Sequence, residues 1–272
     1  MAASFKVACI QTNAAREVAP NVEIAVGMAR AAHAEGASLI LLPENASMME
    51  PDRRLLSAKA MPQDEDAALK AFRRLAGETG AWILIGSLPV KLSGDRIANR
   101  SFLIDGHGDI ADYYDKIHLF DVDLGGGEVY RESDERIPGA RAVVADTPWG
   151  KLGMSICYDL RFPHLYRTLA KSGADFLSVP AAFTRTSGEA HWHVLLRARA
   201  IETGCFVFAP AQCGEHAGGR KTFGHSLIVD PWGAVLADGG AEVGFIIADI
   251  NPELAGEAKR KIPSLTHDRP FS

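Results

Sequence analysis

The sequence lacks the features that mark several large classes of protein. Its 272 residues include 29 basic and 34 acidic side chains, for a net charge of −5, and they contain no block of Lys and Arg. Because nucleic acids and anionic membranes are bound through clustered positive charge, we expect neither as a partner. No apolar run approaches the roughly 18 residues of a membrane helix, and the first such run is too short for a secretory signal. We therefore expect a small-molecule partner.

Metal, disulfide and phosphate motifs are also missing. The four cysteines show no CxxC spacing and are too sparse for a disulfide framework, so we expect a cytoplasmic protein with free thiols at Cys9, Cys157, Cys205 and Cys213. There is no HExxH motif, and His191 and His193, two positions apart on a helix, point about 200° apart and cannot share one ion. The glycines at 125–127 lack a GK[ST] sequence. We expect no metal and no cofactor.

What is present is the composition and rhythm of an α/β protein. Apolar residues make up 47% of the chain, and no linker or repeat divides it, so we expect a single domain over residues 1–272. Short apolar runs predict strands at 5–11, 38–43 and 82–90. Helical periodicity predicts helices at 21–35 and 64–79, the second capped by Asp64.

The second half of the chain adds antiparallel signals. Hairpins are predicted at 102–110, 142–156 and 226–236, strands at 176–180 and 205–210, and a helix at 189–203. The mixture indicates a large α/β fold whose sheets contain both parallel and antiparallel pairs. Residues 121–139 form a long, weakly structured stretch, and loops of that length are usually functional or disordered.

One reactive group is Cys157, at the end of a predicted strand and before a helix that Pro163 opens. A thiol at such a bend is expected to be exposed to unpaired N–H groups, which lower its pKa, and the N–H of Tyr158 could bind an oxyanion. The alternative is a buried structural cysteine. Cys9, Cys205 and Cys213 lack this context and are interpreted as structural.

Two more reactive groups follow other predicted strands. Glu44 comes directly after Leu-Pro at the end of an apolar run, where partial desolvation would raise its pKa and suit it to proton transfer. It could equally cap a helix or pair with an arginine. Lys116 lies among aromatic and apolar residues and could stabilise a thiolate or an oxyanion. It could equally be a surface lysine paired with Asp112 or Asp115.

Together these residues resemble a known family. Three residues carry the resemblance: Glu44 after Leu-Pro, Lys116 in Tyr-x-Lys-x-His-Leu-Phe-Asp, and Cys157 in Gly-x-x-Ile-Cys-Tyr-Asp-Leu-Arg-Phe-Pro. In these contexts they are similar to the Glu-Lys-Cys triad of the carbon–nitrogen hydrolase (nitrilase) superfamily. Further segments resemble its Nit branch across essentially the whole chain: 180–184, 190–192, 195–202, 224–226 and 230–233.

The resemblance implies a fold and a mechanism. The fold is a four-layer α-β-β-α sandwich of two mixed sheets, and family members usually pair through the helices after the nucleophile and after Pro180, which implies a homodimer. The mechanism has Cys157 as the nucleophile, Glu44 as the base and Lys116 as the oxyanion ligand, with a thioester intermediate. Glu132 matches a second glutamate that positions Lys116 or the substrate.

The resemblance leaves the substrate open. Residues 198–207 and 211–216 look more like enzymes that hydrolyse deaminated glutathione than like ω-amidases acting on α-ketoglutaramate. The alternatives are N-carbamoyl amino acids, nitriles, or a catalytically silent scaffold. The family's usual Pro-Gly before residue 132 is replaced by three glycines at 125–127, which implies a more mobile loop.

An anionic keto acid requires a cation in the pocket. Arg161 and Arg185 are the available choices, and Arg161 could instead pair with Asp159. Tyr158, Phe183 and Thr184 are the other residues expected at the substrate. Arg199 lies on the apolar stripe of its helix, so we interpret it as a buried, paired structural arginine.

Overall fold

A computed structural model describes residues 3–92, 94 and 96–269. The helices of this part of the chain are α1 Val18–Ala34, α2 Arg53–Lys59, α3 Ala67–Thr79, α4 Pro163–Lys171, α5 Arg185–Thr203 and α6 Glu253–Lys261. Its strands are β1 Phe5–Gln11, β2 Ala37–Leu41, β3 Trp82–Lys91, β4 Ile97–Ile104, β5 Ile110–Asp115, β6 Asp121–Asp123, β7 Val129–Arg131, β8 Arg136–Ile137, β9 Val143–Thr147, β10 Gly150–Met154, β11 Phe176–Ser178, β12 Phe206–Ala209, β13 Cys213–Glu215, β14 Lys221–Phe223, β15 Leu227–Val229, β16 Val235–Asp238 and β17 Gly244–Ile250.

Two large mixed sheets dominate the fold. The first has the order β17-β1-β2-β3-β4-β5, with β8 beside β4, and the second has the order β16-β15-β12-β11-β10-β9. In each sheet a central parallel group is flanked by antiparallel strands: β1, β2 and β3 are parallel in the first, and β10, β11 and β12 in the second. The expectation of mixed sheets is confirmed.

The two sheets pack face to face, with helices outside. Alternate residues of β1 and β2, such as Val7, Cys9 and Leu41, pack against the second sheet and share one core with α5. The intervening residues, such as Ala8 and Ile10, face the other way into a second core with α1 and α3. This period of two places every central strand between two apolar layers. The four-layer α-β-β-α sandwich is confirmed.

Some element boundaries differ from those predicted from the sequence. Strand β1 has the predicted bounds, whereas α5 begins four residues before the predicted start at 189. The expected cap at Asp64 is wrong: Asp66 caps α3, because its carboxylate accepts from the Leu69 N–H at 2.8 Å. Residues 121–139, expected to be a long, weakly structured stretch, hold the short strands β6, β7 and β8. Among the described residues, no helix is long and apolar enough to cross a membrane.

Candidate active site

The carboxyl ends of the strands collect the reactive side chains at one edge of the sandwich. Glu44 follows β2, Lys116 follows β5, Cys157 follows β10, and the segment 180–184 follows β11. Because the central strands are parallel, their carboxyl ends meet at this edge, as in other α/β folds. The three residues expected to react are thereby brought together from positions up to 113 apart in the chain.

Lys116 lies between two glutamates. Its Nζ donates to Glu44 Oε1 at 2.8 Å and to Glu132 Oε2 at 2.8 Å, and the lysine is 2% exposed. Asn99 Nδ2 joins the same two carboxylates, each at 3.0 Å. The second carboxylate oxygen of Glu44 accepts from the backbone N–H of Ala182, on the other sheet, at 3.0 Å. Every oxygen of the Glu44 carboxylate is therefore held by a donor.

Cys157 lies on a strained turn. Its φ of 49° is in the left-handed region, which a residue with a Cβ rarely adopts. The turn is fixed by its backbone N–H, which donates to the Pro180 carbonyl at 2.9 Å. Its thiol lies close enough to the Glu44 carboxylate for that negative charge to raise the pKa of the thiol. A carboxylate this near to a thiol is placed to take its proton.

Asp159 ties the cysteine turn to the lysine segment. Its carboxylate accepts from the N–H of Ile156 at 2.8 Å, from the Tyr114 hydroxyl at 2.7 Å and from the N–H of His118 at 3.0 Å. The expected alternative pairing of Asp159 with Arg161 is wrong, because these partners occupy the carboxylate. Asp159 positions both reactive segments relative to each other.

The pKa values differ from the expectations based on the sequence. Burial acts to raise the pKa of Glu44, but the charge and hydrogen bond of Lys116, together with the charge of Arg220, hold that pKa below its usual value of 4.5. The expected rise is therefore wrong. Burial likewise opposes ionisation of Glu132, yet Lys116 and Arg136 lower its pKa to about 2. Both carboxyls are ionised at neutral pH. Burial disfavours the Lys116 ammonium, but the two carboxylates prevail and raise its pKa.

The thiol is also in the opposite state to the expected one. Cys157 is 5% exposed, and burial, followed by the negative charge of Glu44, raises its pKa well above 9.0. The sequence context suggested an exposed thiol with a lowered pKa. The local sequence showed neither how deeply the thiol is buried nor that Glu44, 113 positions earlier, would be ionised beside it and raise its pKa. The site therefore holds a neutral thiol beside an ionised carboxylate.

A cavity of about 690 Å³ opens above these residues and is lined by Glu44, Lys116, Glu132 and Cys157. Its volume suits a small-molecule ligand. Arg185, at the start of α5, lines the cavity as expected, and Gly126 and Gly127 lie in its wall. Arg161 does not line it. Its guanidinium lies 5.1 Å from the centre of the Phe183 ring and contacts His191.

A small recess beside the thiol is lined by Cys157, Tyr158, Ala182, Phe183 and Thr184, with Phe120 and Ser187. Tyr158, Phe183 and Thr184, which were expected at the substrate, therefore lie near the Cys157 thiol. Thr184 is 1% exposed, and its hydroxyl is hydrogen-bonded to Ser187 at 2.8 Å. Its side chain shapes the start of α5.

Two arginines in the cavity wall were missed from the sequence. Arg136 donates to Glu132 at 3.2 Å and to Asn45 at 3.0 Å. Arg220 donates to the Ala182 carbonyl at 2.6 Å and lies 5.0 Å from the centre of the Tyr130 ring, while its Nε is buried without a hydrogen-bond partner. Both follow irregular segments, so no periodicity marked them. A buried guanidinium N–H with no acceptor is suited to an incoming anion.

Comparison with known proteins identifies the family. Residues 6–260 match the family model described as carbon-nitrogen hydrolase. The chain belongs to the carbon–nitrogen hydrolase family. It is 40% identical over 268 residues to a deaminated glutathione amidase of Synechocystis sp., covering 97% of each chain. It is 36% identical to the human deaminated glutathione amidase, covering 97% of this chain and 82% of the relative.

Solved structures of the same family share the fold. The Caenorhabditis elegans NitFhit protein superposes with a TM-score of 0.90 at 35% identity; the match covers 99% of this chain and 66% of that longer chain. Saccharomyces cerevisiae Nit3, a member of the nitrilase superfamily, gives 0.88 at 28% identity, covering 98% and 97%. An amidase double mutant from Nesterenkonia sp., in complex with acrylamide, gives 0.82 at 26% identity, covering 98% and 94%. The chain is a hydrolase of non-peptide carbon–nitrogen bonds, an amidase.

Proposed function

We propose that this amidase cleaves the amide of a small keto acid, with deaminated glutathione as its preferred substrate, by a Glu44–Lys116–Cys157 triad. The observation that carries the proposal is a buried thiol beside a carboxylate that also bonds a buried ammonium, all three lining a cavity with arginines in its wall. The substrate preference is supported by relatives in bacteria and mammals that bear the name deaminated glutathione amidase.

In the first half-reaction, the Cys157 sulfur attacks the amide carbonyl as its proton passes to Glu44. Because the thiol's pKa is raised and that of Glu44 is lowered, the proton moves only as the S–C bond forms and the charge shifts to the carbonyl oxygen. Neutralising Glu44 frees the Lys116 charge for that oxyanion, together with the Tyr158 N–H. Glu44 then protonates the departing amine, and a thioester remains.

In the second half-reaction, water attacks the thioester. Glu44 takes the water's proton, the C–S bond breaks, and the Cys157 sulfur recovers a proton from Glu44 as the acid is released. Glu132 stays ionised throughout, because Lys116 and Arg136 hold its pKa far below neutral. We assign Glu132 the positioning of Lys116 rather than proton transfer.

Arg185 and Arg220 are proposed to bind substrate carboxylate. Both line the cavity, and Arg220 offers a buried Nε–H that lacks a partner. The missing acceptor would be supplied by a carboxylate oxygen. Tyr158, Phe183 and Thr184 would enclose the carbonyl beside the thiol. Arg161 lies outside this cavity wall and is not assigned to the substrate.

The function is tested by comparing substrates. Purified enzyme is given deaminated glutathione, α-ketoglutaramate, an N-carbamoyl amino acid and a simple nitrile, and kcat/KM is measured from product formation. We expect deaminated glutathione to give the highest value. A higher value for α-ketoglutaramate would replace the proposed substrate with an ω-amide, and no turnover of any amide would favour a silent scaffold.

The nucleophile is tested by mass spectrometry with a slow substrate. We expect an acyl adduct on Cys157 that is absent in Cys157→Ala and present in Cys213→Ala, which removes a buried cysteine outside the site. In one mutant of the Nesterenkonia sp. amidase, the acetamide moiety of fluoroacetamide is covalently added at the active-site cysteine, which supports a nucleophilic thiol in this fold. An adduct that persists in Cys157→Ala would reject the assignment.

Substrate binding by Arg185 is tested by steady-state kinetics. We expect Arg185→Ala to raise KM about tenfold or more while kcat changes less, because the side chain would contact a part of the substrate that does not react. Arg74→Ala, on the exposed side of α3, is the matched control and should leave both constants unchanged. A fall in kcat with KM unchanged would show that Arg185 acts on the reacting centre instead.

We also propose that the protein is one domain, acts in the cytoplasm and forms a homodimer. The four cysteines are free and buried, which suits a reducing compartment. Exposed apolar residues on one side of α5, Val194 at 66% and Ile201 at 54%, support pairing through this helix.

A further inference from the structure

A cluster of two histidines and an aspartate lies outside the proposed catalytic residues. His193 is on α5, His225 lies in the turn before β15, and Asp238 ends β16. The potential ligand atoms of these three side chains all lie within 4.8 Å of one another, and they are the one such group of His, Cys, Asp or Glu found within residues 3–92, 94 and 96–269. Three separate elements thus converge on one point.

We propose that His193, His225 and Asp238 form a binding site for a divalent transition-metal ion, with zinc as its best fit. Two imidazoles and one carboxylate are a common donor set for Zn²⁺, which takes three protein ligands and a water in open sites. In a tetrahedral site, bonds of about 2.0–2.1 Å place the ligand atoms roughly 3.3 Å apart. The observed separations between Asp238 and the two rings, 2.9–3.2 Å, are close to this value.

The position of His225 is fixed by its surroundings. Its φ of 53° is left-handed, as is that of Cys157. Its backbone N–H donates to the Gly240 carbonyl, its carbonyl accepts from Trp192 Nε1 at 2.8 Å, and its ring stacks on Phe223 at 4.4 Å. A ring held by its backbone and by stacking loses little freedom when it binds an ion.

The carboxylate is held just as firmly. Asp238 Oδ1 accepts from the Gly240 N–H at 2.9 Å, which supplies the outer contact that orients a metal-binding carboxylate. The side chains of His193, His225 and Asp238 are 35%, 28% and 35% exposed, so an ion could enter from solvent and keep a water ligand. Without an ion, each ring nitrogen that faces Asp238 donates a proton to it. With an ion, each imidazole would carry its proton on the opposite nitrogen.

The role of the ion follows from the elements it joins. Phe223 donates through its N–H to the Phe183 carbonyl at 3.0 Å, and the Trp192 ring packs on Phe183 at 5.0 Å. Phe183 lines the recess beside the Cys157 thiol. An ion that joins α5 to the 223–226 turn would therefore stabilise one wall of that recess without contacting the reacting atoms.

The site is tested by titrating the chelator-treated, full-length protein with zinc chloride in a calorimeter, with metal content measured by mass spectrometry. We expect one zinc per chain and a rise in melting temperature of roughly 5 °C at a 100-fold excess over Kd. His193→Ala should weaken binding at least about 100-fold, since it removes a direct ligand. His191→Ala, two positions away on the same helix, is the matched control and should bind normally.

Two further variants separate this site from the thiol site. Cys157→Ala should retain the zinc, because its sulfur is not a ligand in the proposal. Asp238→Asn should weaken zinc binding while keeping a similar shape, which guards against a loss caused by misfolding. Unchanged binding in His193→Ala, loss of binding in Cys157→Ala, or no binding by the unaltered protein at 100 µM zinc would each overturn the proposal.

Discussion

At the scale of single residues, one ammonium determines the charge state of the site. Lys116 lies 2.8 Å from Glu44 and from Glu132, and it lowers the pKa of both carboxyls against the effect of burial. Two buried carboxylates that share a donor in Asn99 would otherwise repel each other. Lys116 therefore keeps Glu44 ionised, and in the proposed mechanism it also supplies positive charge where the oxyanion would form.

We expect Lys116→Met to lower kcat by roughly 1,000-fold, since it removes the proposed oxyanion ligand and leaves Glu44 and Glu132 without their shared cation. Steady-state turnover of the best amide is the measurement. Lys59→Met is the control, because Lys59 also bridges two glutamates, Glu17 and Glu50, but does not line the cavity. Retention of more than a tenth of the activity by Lys116→Met would contradict this role.

The pH profile follows from the lowered pKa of Glu44. A base whose pKa lies below 4.5 is ionised at every pH above that value, so kcat/KM should stay level from neutral pH down to about 5 and fall only below 4.5. The lowered pKa of Glu132 acts in the same direction: its contribution to stability is complete above 4.5 and is lost toward pH 2. Circular dichroism at each pH checks that the fold persists. An acid limb centred near 6.5 would contradict the prediction.

The sequence was informative about individual residues where a reactive side chain directly follows a strand. Glu44, Lys116 and Cys157 could be found in this way, and Arg199 was rightly interpreted as buried and paired, since its guanidinium donates to the Leu160 carbonyl and to Glu202. The pKa values could not be predicted, because they depend on contacts between distant segments. Arg220 could not be found either, because its partner, the Ala182 carbonyl, is 38 positions away.

At the scale of elements, the site depends on how closely β3 approaches its neighbours. A Cβ built on Gly86 would lie 2.1 Å from the Leu42 carbonyl oxygen, 2.4 Å from that of Pro43 and 2.5 Å from Pro180 Cβ. Next to it, Ser87 Oγ accepts from the Asn45 N–H at 2.9 Å. The absence of a side chain at Gly86 lets β3 support the turn that carries Glu44.

We expect Gly86→Ala to destabilise the fold by about 3 kcal/mol and to lower activity, because the added methyl group overlaps backbone atoms that cannot move freely. Urea unfolding followed by tryptophan fluorescence gives the stability. Gly27→Ala is the control: nothing lies within 4 Å of its added Cβ on α1, so it should be neutral or stabilise by up to about 1 kcal/mol. Equal stabilities of the two variants would show that the strand can relax.

The central elements were predictable because their apolar patterns are strong, and the peripheral ones were not. Strand β1 consists of seven residues, of which all but Lys6 are buried, and its run of apolar residues was unmistakable. Strand β17 pairs with β1 along its whole length, yet most of its side chains are only half-buried, so its pattern was weak. Helix α2 has one buried residue, Leu56, and gave no apolar stripe to recognise.

At the scale of the whole molecule, α5 carries apolar side chains that are exposed to solvent in the part of the chain that the structure describes. Val194 and Ile201 are seven positions apart and lie on one side of the helix, and Trp232, adjacent to Gly233 beside Ile201, is 60% exposed. Exposed apolar residues in one place are typical of interfaces between protein chains. In the proposed homodimer, a second copy of the chain would bury these exposed residues.

We expect light scattering at micromolar concentration to give twice the chain mass of 29.2 kDa. Val194→Glu should shift the protein toward the monomer, because a charge would have to be buried at the interface. Ile24→Glu, at a position on α1 that is 52% exposed, is the control and should leave the mass unchanged. A monomeric mass for the unaltered protein would reject the dimer.

The hydrogen bond from the Ala182 N–H to Glu44 joins a side chain of the first sheet to the backbone of the second. Neither sheet on its own contains both the proposed general base, Glu44, and the backbone N–H that fixes its orientation. During refolding, catalytic competence should therefore return only after the two halves of the sandwich have docked, later than the recovery of secondary structure. On the proposed mechanism, a half-assembled chain would carry an ordinary, unactivated sulfhydryl at Cys157.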